Sequence, residues 1–216
     1  MSFPSEIEEV FAEIKEEVIW VHGRWIIYRQ LFLHSDKRID LLNDVASAFF
    51  YMIQNLLLEE VQITLSKFTD PARSGKNENL SLEQLQERVE EVGNPELSVK
   101  LRSVLNQLQD TCRSCRVWRN KQLAHLDLDT SLKLLPDALP AVTIEQIDAA
   151  LEITREYLNL LERFYTESET GYEHFIMHSD GDALVEMLKL GLRYDELRKL
   201  DKFSWDDLRE SPWHDA

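Results

Sequence analysis

Apolar residues recur at steps of three and four through the first part of the chain, at Ile7, Val10, Phe11, Ile14, Val18, Val21, Trp25, Tyr28 and Phe32. That spacing marks one face of a long helix. Ser5 sits at its N-cap position, with Phe3 just before it. Ile19, Trp20, Ile26 and Ile27 widen the apolar face in the second half, which predicts contact with more than one neighbour. A second helix starts after His34-Ser35-Asp36 and carries Ile39, Leu42, Val45, Phe49, Met52, Ile53, Leu56, Val61 and Leu65. Its middle is apolar nearly all round, the pattern of a central bundle helix. The longest uncharged run, Val45 to Leu58, has 14 residues and includes Gln54 and Asn55. A membrane span needs about 20 mostly apolar residues, so this stretch reads as a buried helix and no membrane partner is expected.

Thr69-Asp70-Pro71 closes the second helix, and Asp70 to Asn79 reads as a polar, turn-rich loop. Ser81-Leu-Glu-Gln84 is a capping box that opens a short helix ending at Gly93. Asn94 then caps a fourth helix with Pro95 at its first position, and Leu97, Leu101, Val104, Leu105, Leu108, Cys112, Cys115 and Trp118 form its stripe. The periodicity fails near His125, and Leu126 to Val142 is a long connection with two prolines. Thr143-Ile-Glu-Gln146 is a second capping box, and its helix runs through Ile147, Leu151, Thr154, Leu158, Leu161 and Tyr165 before Gly171 ends it. One more amphipathic stretch, Asp182 to Leu200, is interrupted at Gly191. The expected architecture is all-α: a four- to five-helix up-and-down bundle over residues 1–170, with a C-terminal helical extension over 171–216.

Composition narrows the functional classes. Lys and Arg number 24 against 40 Asp and Glu, a net charge of −16 that argues against a general nucleic-acid coat protein. Six Gly and six Pro leave little material for the turns of an all-β fold, while 44% hydrophobic residues can fill a core. Two cysteines do not make a disulfide framework, and the first residues show neither a positive region nor an apolar one of the signal-peptide kind, so a cytoplasmic setting is expected.

One segment departs from this acidic background. Thr111 to Leu126, TCRSCRVWRNKQLAHL, holds Arg113, Arg116, Arg119 and Lys121 with no acid, leaving −20 for the other residues. Arg119 lies four residues after Cys115 and seven after Cys112, on the stripe that otherwise faces the core. An unpaired guanidinium is costly to bury, so Arg119 must extend past the core edge or meet an acidic or anionic partner.

Arg119-Asn120-Lys121-Gln122-Leu123-Ala124-His125 resembles the Arg-polar-x4-His motif of the HEPN superfamily of all-α bundles. The wider pattern is similar to the AbiU-type branch associated with abortive infection. It includes Arg29-Gln-Leu-Phe32, Leu41-Leu-Asn-Asp-Val45, Lys67-Phe-Thr-Asp-Pro71, Asn79-Leu-Ser-Leu82 and His125-Leu-Asp-Leu-Asp129, and covers about residues 5 to 165. The resemblance implies a metal-independent RNA-cleaving site without a cofactor, composed across a homodimer. Arg119, Asn120 and His125 are then the catalytic candidates, and Arg116 and Lys121 the RNA-binding ones.

The residue types suit that chemistry. Cleavage at a ribose needs a base for the 2′-OH and an acid for the leaving 5′-oxygen, and histidine titrates near neutral pH. A guanidinium opposes charge developing on phosphate oxygens. In a regular helix, six residues put Arg119 and His125 about 120° and about 9 Å apart. Unwinding near Leu123 or a second protomer must therefore bring them together, and a twofold axis supplies two histidines to one cleft. Asn120 would orient His125 or a phosphate oxygen, and Asp127 would hold the imidazole. Some toxin-like members carry a Tyr two residues after the His, modified by a nucleotidyltransferase antitoxin; here that position is Asp127.

Other features read more simply. An Arg and a His near a helix C-terminus also suit the macrodipole and nearby carbonyls, which leaves a non-catalytic, partner-binding helical module as the alternative. Cys112-Arg-Ser-Cys115 lacks a second ligand pair and lies on an apolar stripe, so it reads as core packing. His174 and His178, followed by Asp180 and Asp182, would share a face if helical, but Gly181 and the aspartates read as a turn and helix start, and no metal site is expected. Trp118 reads as core or interface rather than a stacking platform. There is no Walker loop, GxSxG or GxGxxG.

Overall fold

The computed structural model describes residues 2–123 and 141–200. Their order is α1 (Ser5–Phe32), α2 (Asp36–Phe68), a two-residue β1–β2 hairpin (Arg73–Ser74 and Asn77–Glu78), α3 (Leu82–Val92), α4 (Pro95–Thr111), α5 (Arg113–Trp118), a π-helical turn (Arg119–Leu123), α6 (Ile144–Tyr165), a 3₁₀ turn (Tyr172–His174) and α7 (Gly181–Lys199). The fold is all-α, as the periodicity predicts. The described residues fall into two compact units, one within Met1–Trp25 and Leu56–Ile176, the other within Ile26–Asn55 and Met177–Ala216.

In the first unit α4 packs on both α6 and α3. The core stripe read from α1 is buried at Ile7, Phe11, Ile14, Val18, Val21 and Trp25, and Phe3 stacks on Phe11 at 4.3 Å. Helix starts follow local chemistry. Ser81 Oγ accepts from Gln84 N, Asn94 Oδ1 from Leu97 N, and Thr143 and Gln146 bond reciprocally at 3.2 and 3.1 Å. Gly93 closes α3 with φ +85°, a left-handed position that favours glycine. Tyr157, fully buried, donates from Oη towards the Leu82 carbonyl and Gln86 Oε1, joining α6 to α3.

In the second unit Gln30 and Arg38 hold the start of α7. Gln30 Oε1 accepts from Gly181 N at 3.0 Å, and Arg38 Nη1 pairs with Asp182 Oδ1. A Cβ on Gly181 would sit 3.0 Å from Gln30 Oε1 and 3.2 Å from Leu31 Cγ, so glycine is what lets α7 begin there.

Several expectations need correction. The 70–79 loop contains the short hairpin, turned at Gly75 with φ +64°. The fourth helix breaks at Cys112 into α4 and α5. α6 ends at Tyr165 rather than Gly171, because Thr166 donates from both N and Oγ to the Glu162 carbonyl and Glu167 follows with φ +54°. α7 runs through Gly191 without interruption.

The largest correction concerns α2. Its middle was expected to be buried, yet Phe49, Tyr51, Met52 and Leu56 are half or more exposed, and Phe50 is the buried exception. Ala46 leaves helical geometry at φ −161° and ψ 68°, which kinks the helix just before this stretch. By length and composition α2 also meets the requirement for crossing a membrane, with a mean hydropathy of 1.3 in its most apolar window, of which 11% is buried.

Candidate functional site

The basic island begins where α4 gives way to α5. Cys112 and Cys115 are free and buried, which matches their reading as core packing. The hydrogen bond that the Cys112 thiol donates to Cys115, together with burial, pushes the Cys112 thiol up, away from the thiolate that redox or metal chemistry needs. Among the described residues no group of three or more His, Cys, Asp and Glu side chains is gathered for a metal. His174 and His178 do not share a helical face: His174 ends the 3₁₀ turn and His178 lies in the turn that precedes α7.

After Trp118 the helix widens into the π turn at Arg119–Leu123. Insertions of this kind shift the angular phase of the residues they contain and recur at functional sites. The six-residue regular-helix geometry between Arg119 and His125 therefore does not hold at its first step. His125 and Asp127, along with most of the 126–142 connection, lie outside the described residues.

Of the two outcomes open to Arg119 on the core stripe, extension past the core edge or an acidic partner, the structure shows the partner. Its Nη1 donates to both Asp70 Oδ1 and Oδ2 at 2.8 Å, and its Nε donates to Asn120 Oδ1 at 3.3 Å. The Arg119 and Asp70 side chains are 19% and 22% exposed, so the pair is neither sealed in the core nor freely solvated. Asp70 is held by the end of α2, where Thr69 N donates to the Ser66 carbonyl and Asp70 N to the Lys67 carbonyl. Asn79 then ties the following chain by donating from N to the Ala72 carbonyl and from Nδ2 to the Pro71 carbonyl.

One helical turn before Arg119, Arg116 lines a cleft of about 510 Å³ with Thr69, Arg73, Glu83, Glu87 and Gln109. Thr69 is the residue before Asp70, so the cleft adjoins the ion pair. Its charges are mixed, and its acids are partly engaged: Glu83 accepts from Arg102 and from Gln109 Nε2, while Arg73 lies 3.7 Å from Glu87. Lys121 is exposed on the π turn. Of the sequence candidates, Arg119 and Asn120 are in direct contact and Arg116 lies close by in the chain at the adjoining cleft.

Asp70 is the residue that sequence reading passed over. Next to Pro71 it looked like a helix-ending turn, and its pairing spans 49 residues of chain. That Arg119 must extend past the core edge or meet an anion was legible in the sequence; that Asp70 is the anion was not.

His22 is a second residue not singled out beforehand. It is buried, its Nδ1 lies 2.8 Å from the Val18 carbonyl, and Arg155 Nη1 approaches its Nε2 at 3.4 Å. Burial lowers its pKa to about 4, so it is neutral near pH 7 and donates from Nδ1 to Val18. It serves the fold rather than proton transfer.

The family model HEPN_AbiU2, described as AbiU2, matches residues 4–185 of the chain. No curated protein and no solved structure matches it.

Proposed function

The chain belongs to the AbiU2 family of HEPN domains, and on that premise we propose that it is a metal-independent endoribonuclease acting in phage defence. Family membership points to an abortive-infection-related role; the chemistry is argued from the residues. The observation that carries it is the Arg119 guanidinium, anchored by Asp70 and Asn120 yet still accessible, beside a cleft that holds Arg116.

In this reading Arg119 binds the scissile phosphate and opposes the charge that builds on its oxygens. One His125 accepts the 2′-OH proton, and the 2′-oxygen forms a bond to phosphorus. The bond to the 5′-oxygen breaks, and that oxygen takes a proton from a second His125. The products are a 2′,3′-cyclic phosphate and a 5′-hydroxyl. Two histidines in one cleft call for a homodimer, in which a twofold axis places one from each protomer. Arg116 and Lys121 bind flanking phosphates. A net −16 surface restricts substrates to short or exposed loop segments that reach the basic site.

The test is incubation of the purified protein with mixed RNA, with and without EDTA, beside Arg119→Ala and His125→Ala. Cleavage that survives EDTA and is lost in both folded variants is the expected result. Equal cleavage by all three proteins would remove the proposal.

A second reading, a non-catalytic partner-binding module, is favoured by the exposed Phe49, Tyr51 and Met52. It requires that these residues govern association with another protein and that RNA is left intact.

A further inference from the structure

The Asp70–Arg119 contact has a geometry that separates anchoring from competition. Asp70 places both carboxylate oxygens on a single guanidinium nitrogen, Nη1, at 2.8 Å, instead of spanning two nitrogens as a phosphate fork would. Asn120 takes Nε at 3.3 Å. Nη2 has no hydrogen-bond partner among the described residues. Two of the three nitrogens are thus fixed by the protein, and the third carries two N–H groups for a ligand.

We propose that Asp70 is the positioning residue of the RNA-cleaving site: it locks the Arg119 guanidinium so that Nη2 meets the scissile phosphate. The inference rests on the ribonuclease reading above and deepens it. Two opposing effects act on the substrate. The Asp70 charge repels a bound phosphate, which weakens ground-state binding. Asp70 also removes the rotational freedom of a long side chain, so that Arg119 is already oriented when charge develops on the phosphate. An orienting role and an inhibitory one therefore leave different kinetic signatures. If Asp70 only blocked Arg119, removing it would raise turnover. If it orients Arg119, turnover falls while substrate affinity is retained or improved.

Arg119 begins the π turn with helical backbone, φ −53° and ψ −50°, and its N–H donates to the Cys115 and Arg116 carbonyls, so the main chain is held and the long side chain is what remains to be oriented. Its neighbour Asp70 lies in a turn pinned by Thr69 and Asn79. Both backbones are thus anchored, and the Asp70 carboxylate acts on the one flexible part of the pair, the Arg119 side chain, as a positioning role requires.

The experiment compares Asp70→Asn, Asp70→Ala and Asp70→Glu with the wild-type protein. Steady-state cleavage of a short single-stranded RNA is measured beside binding of the same sequence carrying 2′-O-methyl groups, and a thermal melt of each variant. The expected result is a kcat at least about tenfold lower in Asp70→Ala, with KM and 2′-O-methyl RNA affinity unchanged or improved, and partial rescue in Asp70→Glu. Asp70→Asn keeps the shape and one acceptor and should fall between them. Unchanged or raised kcat overturns the inference alone, as does a kcat loss matched by loss of RNA affinity in variants that melt normally. If Asp70→Ala does not fold, the same criteria apply to Asp70→Asn. A wild-type protein that cleaves no RNA overturns the ribonuclease reading and this inference with it.

Discussion

Lys15 Nζ lies 2.5 Å from Glu162 Oε1, joining α1 to α6 across 147 residues of sequence. Glu162 is 4% exposed at the side chain, and Lys15 is 32% exposed, so the carboxylate is the member that depends on the pair. Thr170 adds a hydrogen bond to the same oxygen and accepts one from Lys15. Lys15→Met leaves the buried carboxylate without its cation. The expected destabilisation is about 2–4 kcal/mol, on the lower side for a buried pair because water reaches the lysine head. Urea unfolding of Lys15→Met and of the double variant Lys15→Met with Glu162→Gln checks this, since the second change should restore part of the loss.

His22 makes stability depend on pH in a definite direction. Its folded pKa, lowered to about 4 chiefly by burial, is below the ordinary value of 6.5. Above pH 6.5 it is neutral in both states. As pH falls from 6.5 towards 4 the unfolded chain takes up a proton that the folded chain refuses, so stability is lost across that window. The full loss is about 3 kcal/mol at the low end. Denaturant midpoints for wild type and His22→Gln at pH 7 and pH 4.5 should show a smaller drop in the variant. An identical drop would mean that His22 does not carry the effect.

Arg116→Ala should weaken RNA binding without changing which sequences are cut, because a phosphate contact carries no base information. A log-affinity against log-salt plot should become shallower by about 0.7 for single-stranded RNA if one phosphate contact is lost. An unchanged slope would place Arg116 off the RNA path.

Phe49 and Met52 are 51% and 57% exposed. Polar substitution of both, Phe49→Ser with Met52→Ser, should cost less than about 1 kcal/mol of stability, in contrast to Phe50→Ala, where loss of a buried ring should cost about 3 kcal/mol or more. If α2 carries a partner surface, the first variant also loses association in sedimentation or pull-down with a defined partner, while retaining its melting temperature.

Local chemistry was legible in the sequence wherever the signal is local. The Ser81, Asn94 and Thr143 caps act within four residues, and the structure forms each of them. The α1 stripe follows from a period of 3.6 that only a helix satisfies, and its members are buried except Val10, which is half-buried. The AbiU-type HEPN resemblance rests on the same kind of spacing, and the family match over 4–185 agrees with it. Extended periodicity was less secure at its interruptions. The helix breaks at Cys112 although the buried stripe continues through Cys112 to Cys115, and α7 runs on through the exposed Gly191, because a single glycine costs only about 1 kcal/mol in a helix interior.

Two features were decided only in three dimensions. Phe49 and Phe50 are the same residue on the same apolar run, yet one is half exposed and the other buried. A run that is apolar all round has no phase, so periodicity cannot say which side faces the core. Likewise, sequence alone showed that a guanidinium at Arg119 must either extend past the core edge or meet an anion, because desolvating an unpaired charge is costly wherever it occurs. It could not show that Asp70, 49 residues earlier and dressed as a helix stop, supplies it. Charge pairing depends on distance in space, and the chain's path through α2, the hairpin, α3 and α4 sets that distance.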